Sequence, residues 1–69
     1  MNIYVFKTSI SEKDIQVVDH LLGSLLPKSR WNVDLEDCDN ILRVESGENV
    51  AALIPTRLRV RGFYCEELV

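Results

Sequence analysis

Few side chains in this sequence could do chemistry. Cys38 and Cys65 could hold a soft metal ion or close one disulfide, and His20 could move a proton. The carboxylates Asp34, Glu36, Asp37 and Asp39 could gather a hard cation. Each reading needs further groups that the spacing does not supply. His20 falls on the side of a helical pattern away from Ile15, Val18, Leu22 and Leu25, where a lone imidazole is solvated and lacks a concave site. The four carboxylates do not follow the six-ligand spacing of a calcium loop. No acid–base pair, nucleophile elbow or Gly-rich phosphate loop is present. The sequence therefore predicts a protein that is not an enzyme, with no catalytic residue, no cofactor and no metal ligand set.

These residues must be positioned by a chain of 69 residues, enough for one domain over 1–69. Hydrophobic residues make up 46% and charged ones 28%, so the chain has neither the low hydrophobicity nor the charge excess of disorder. Eight Lys and Arg against eleven Asp and Glu give a net charge of −3, the wrong sign for a binder of phosphate backbones, and no nucleic-acid partner is expected. The longest apolar run, Val50 to Ile54, is far below the roughly 20 residues of a membrane span. No membrane partner is expected either. The opening stretch lacks the long apolar segment and cleavage site of a signal peptide, and two cysteines make no disulfide framework, so a cytoplasmic setting with reduced thiols is expected.

Along the chain, Ile3-Tyr4-Val5-Phe6 predicts a central first strand, apolar on both faces. Ser11 with Asp14 three residues on, and Ile10 with Ile15, mark a capping box and hydrophobic staple at the start of a helix over about residues 11 to 26, ended by Pro27. Trp31, Val33 and Leu35 alternate with polar residues, predicting a second strand with those three toward the helices and Asn32 and Asp34 toward solvent. Asp37 to Asn40 reads as a hairpin turn into a third strand, Ile41 to Val44. Val50, Leu53, Ile54 and Leu58 predict a second helix that ends near Gly62 and is kinked at Pro55. Residues 57 to 61 also alternate like a strand, so a short helix followed by a long last strand is the alternative. Phe63 to Leu68 reads as the final strand.

The order βαββαβ in a chain this short predicts an α+β, ferredoxin-like sandwich: a four-stranded antiparallel sheet in the order 4-1-3-2 with two helices on one face. That topology gathers Lys7 to Ser11, Asp37 to Asn40 and Gly62 to Tyr64 at one end. It also separates Cys38 and Cys65 by strand 1, about 10 Å or more at a strand spacing near 4.8 Å. Cys65 is then a small half-buried hydrophobe and Cys38 an exposed turn residue.

With a first strand running straight into a helix and Gly62-Phe63 ahead of the last strand, the chain resembles the heavy-metal-associated domain of copper chaperones and copper-transporting ATPases over essentially its whole length. That family's first loop carries Met-x-Cys-x-x-Cys, which falls here on Ile10-Ser11-Glu12-Lys13-Asp14-Ile15. Ile10 stands at the Met position and Glu12 and Ile15 at the two thiolates, so no soft ligand is present and the family's copper site is not carried over. The resemblance implies a small interaction or regulatory module without the metal site. The alternative is a metal-binding carrier using other ligands near Cys38 and Cys65. Segregated charges, with acids on the hairpin and Arg57, Arg59 and Arg61 late in helix 2, point to a protein partner, and open edge strands to a homodimer.

Overall fold

The computed structural model describes residues 2–36 and 38–68. The strands are β1 (Asn2–Thr8), β2 (Arg30–Asp34), β3 (Ile41–Ser46) and β4 (Cys65–Glu67), and the helices are α1 (Ile15–Leu25) and α2 (Leu53–Val60). A 3-10 turn, Glu12–Asp14, leads into α1. The sheet is antiparallel in the order β2-β3-β1-β4, so the chain is a βαββαβ α+β sandwich of ferredoxin-like topology.

Strand alternation sets the two faces of the sheet. Phe6, Leu42, Val44 and Cys65 are fully buried under the helices, against Val18 and Leu22 of α1 and Ile54 and Leu58 of α2. Trp31 and Val33 pack on the same side, as the alternation predicts, whereas Leu35 lies past the end of β2 and is exposed. The opposite face carries Ile3, Lys7, Arg43 and Arg30 toward solvent. β1 is central, as expected for an apolar strand, although Ile3 is 66% exposed on the open face.

The second half of the chain departs from the sequence pattern for local reasons. α2 begins at Leu53 rather than Val50, and ahead of it Asn49 Oδ1 accepts the Ala51 N–H at 3.0 Å in an Asx-type turn. Pro55 thereby falls in the first turn of α2, where a missing N–H costs little, instead of in the middle as a kink. Residues 57 to 60 are helical. As a strand they would put Leu58 and Val60 on one face, but in α2 Leu58 is fully buried and Val60 is 77% exposed. Gly62, at φ 88°, ends the helix in a Schellman motif, with Gly62 N–H on the Arg59 carbonyl and Phe63 N–H on the Leu58 carbonyl, both at 3.0 Å. Phe63 and Tyr64 belong to the connection that follows Gly62, so β4 has three residues rather than the six expected, while β3 runs on to Ser46. Asp37, expected in the hairpin turn, lies outside the described residues.

Gly23 is a spare position inside α1. A Cβ there would meet Trp31 at 3.9 Å, an ordinary contact. Gly23→Ala is expected to stabilise the fold by about 0.5–1 kcal/mol, because it removes backbone freedom from the unfolded chain. A thermal melt a few degrees above the parent checks it, and an unchanged or lower melt contradicts it.

Candidate functional site

The three segments expected at one end of the sheet meet there through backbone and hydroxyl contacts. Thr8 is buried at the end of β1: its Oγ1 donates to the Asn40 carbonyl at 2.6 Å and accepts the Ile10 N–H at 3.2 Å. Thr8 N–H also donates to the Asp39 carbonyl at 3.1 Å, which ties the hairpin turn to the first loop. Asn40 takes a left-handed φ of 46°, a conformation that asparagine tolerates better than most residues. On the other side Ser9 N–H donates to the Tyr64 carbonyl at 3.2 Å, and Tyr64 N–H donates to Ser9 Oγ at 2.8 Å. Lys7 Nζ lies 3.5 Å from Asp39, an ion pair open to solvent. Thr8 and Ser9 carry this arrangement, and the sequence offers no signal for them beyond a polar ending to a strand.

The first loop is closed from within. Ile10 is fully buried, Ile15 is half-buried against the same core, and Glu12 is exposed. Ser11 and Asp14 form the predicted capping box across the 3-10 turn, and Asp14 Oδ2 accepts the Ser11 N–H at 3.0 Å and the Ser11 hydroxyl at 2.7 Å. These bonds, the backbone one first, hold the Asp14 carboxyl below its ordinary value of 3.8. Because the folded-state pKa is the lower one, this stabilisation is present above the unfolded value and is lost as pH falls through the depressed folded value. Asp14→Asn is accordingly expected to lower the urea midpoint at neutral pH and to match the parent in acid below that value. A gap that persists unchanged into acid contradicts the assignment.

The two cysteines are both free thiols and do not share an environment. Cys38 is exposed in the turn, whereas Cys65 is fully rather than half buried. Burial pushes the Cys65 thiol up to about 11, with Arg59 opposing, so Cys65 behaves as a small core hydrophobe. The Arg59 guanidinium donates to the Cys65 carbonyl at 2.8 Å, which ties this residue of the helix-2 basic run to β4. Among the described residues, no three His, Cys, Asp or Glu side chains come together as a metal-ligand group. His20 is exposed on α1, as its phase predicts, and its neighbour Asp19 accepts the Trp31 indole N–H at 2.9 Å. The Tyr64 hydroxyl donates to Glu66, and that bond, before all else, pushes the phenol up from its ordinary value.

Two shallow concavities flank these elements. One, of about 200 Å³, opens on the uncovered face of the sheet between Ile3, Arg30 and Glu45. The other, of about 410 Å³, lies at the far end between Leu25, Lys28 and Glu48, beside the Ser29–Ser46 hydroxyl pair at 3.0 Å. Neither holds a histidine or a cysteine. No helix among the described residues is long and apolar enough to cross a membrane. No family model, curated protein or solved structure matches the chain.

Proposed function

We propose that the chain is a small non-catalytic interaction or regulatory module of the heavy-metal-associated type, in which the first loop closes the fold and holds no metal. The observation that carries this reading is the state of residues 10 to 15. Ile10 is buried where that family's motif has Met, and Ile15 supports the same core. The carboxylate of Asp14 is occupied by both donors of Ser11. Glu12 alone is a hard ligand, unsuited to a soft ion that cellular thiols also bind. The burial of Cys65 works against the carrier alternative, since a cargo ion would have to reach a thiol in the core. Its two free thiols suit a reducing, cytoplasmic setting.

Non-catalytic action is supported by what surrounds His20: its imidazole is exposed on α1 and lines neither concavity. What remains for function is surface: two sheet edges, segregated charge and an uncovered sheet face. The test is affinity capture of the tagged chain from its native host, with metal analysis of the eluate. A defined protein retained in stoichiometric amount, or an untagged copy of the chain, on a metal-free bait is the expected result. The chain returned alone, with or without a stoichiometric soft metal, overturns the reading.

A further inference from the structure

The sheet ends on two unequal edges. β4 is only three residues long and carries Glu66 and Glu67. Paired antiparallel with a second copy about its centre, it would set Glu66 against Glu66, and like charges directly opposite destabilise a strand pair. β2 is longer, and of the devices that blunt an edge it carries only charge, Arg30 and Asp34, of opposite sign. Its five residues contain no proline and no lysine, and its one-to-one register with β3, from Arg30 opposite Glu45 to Asp34 opposite Ile41, leaves no bulge.

The strand reads Arg30-Trp31-Asn32-Val33-Asp34, and it is complementary to itself in reverse. We propose that β2 pairs antiparallel with β2 of a second copy about a twofold axis through Asn32, joining two sheets into one. In that register Arg30 faces Asp34 of the second copy on the open face of the sheet, and by symmetry Asp34 faces its Arg30. Trp31 faces Val33 on the helix-covered side, an aromatic and β-branched pair of the kind that stabilises neighbouring strands. Both are only half-buried in the single chain, so the contact covers apolar surface that α1 leaves open. Arg30 already has Glu45 across from it on β3, so the guanidinium would lie in a row between two carboxylates. Asp34 Oδ1 accepts the Glu36 N–H at 3.1 Å, and a carboxylate has lone pairs enough to accept from arginine as well. The paired residues have even-numbered sums of position, so whichever alternate residues point their backbone groups outward on one strand meet the same set on the other.

This inference deepens the interaction-module reading and rests on it, because it names a second copy of the chain as the partner. Sedimentation equilibrium of the whole chain over a range of concentrations tests it with two variants, Arg30→Asp and Asp34→Arg. The parent is expected to dimerise. Each variant alone is expected to raise the dimer dissociation constant at least about tenfold, because both symmetry-related pairs become like-charged. An equimolar mixture of the two variants is expected to dimerise again: one chain then carries an acid at both positions and the other a base at both, so each pair across the axis is once more opposite in charge. A parent that stays monomeric, a dimer indifferent to either variant, or a mixture that fails to recover overturns the proposal. If the parent is monomeric but another protein is captured from the host, the β2 register falls while the interaction-module reading stands.

Discussion

Replacing Ile10 with alanine is expected to cost about 2–5 kcal/mol, the loss seen when a buried branched side chain is cut back and its cavity is only partly refilled. Ile10 is a loop residue, but it is fully buried and belongs to the same core as Phe6 and Leu58. Its backbone is held by Thr8 Oγ1, so the loop cannot easily collapse into the space left behind. In a domain of this size total stability is only about 5 kcal/mol, and at the upper end the variant would be largely unfolded. Ile10→Val supplies a graded second point, at about 0.5–1.5 kcal/mol. Urea unfolding reads both. If Ile10→Ala leaves the midpoint in place, Ile10 is not a core residue and the first loop is not a structural closure.

The second large effect is a gain. Glu12→Cys combined with Ile15→Cys is expected to give a chain that holds one Cu(I) ion, where the parent is expected to hold none. The two positions are three residues apart at the start of a helix, so their side chains lie on one side of the first turn. A helix N-terminus also lowers the pKa of a thiol and favours the thiolate that binds a soft ion. Glu12 is exposed and Ile15 only half-buried, so the double change disturbs the core less than a change at Ile10. Circular dichroism confirms that the variant is folded, and native mass spectrometry counts the ions. A folded variant that takes up no Cu(I) would show that the loop geometry does not suit a two-thiolate site, and the proposed heavy-metal-associated type would then lose its chemical content.

The parts of this fold that can be read from the sequence are those set by neighbours in the chain. Ser11 and Asp14 are three residues apart, so their capping box is visible without knowing what packs beside it. Alternation in Trp31 to Val33 and the apolar stripe of α1 point the right faces inward, because one buried face is enough to fix their phase. Residues 49 to 61 are harder. Leu58-Arg59-Val60-Arg61 alternates like a strand, yet residues 58 to 60 are helical, since burial of Leu58 alone and the Gly62 stop outweigh the pattern. Thr8 could not be found as the tie between β1 and the hairpin, because its acceptor carbonyl is on Asn40, 32 residues away. The end at which the first loop, the hairpin turn and the helix-2 exit gather was legible from topology, and the bonds that hold them together were not.

The reading of this chain as an interaction module that holds no metal is tested most directly by native mass spectrometry of the unmodified chain, offered Cu(I) beside a thiol competitor. The expected result is the mass of the metal-free chain alone. A stoichiometric Cu(I) adduct that survives the competitor contradicts it, and loss of that adduct on Cys38→Ser or Cys65→Ser would place the ion on the cysteines and make the chain a carrier.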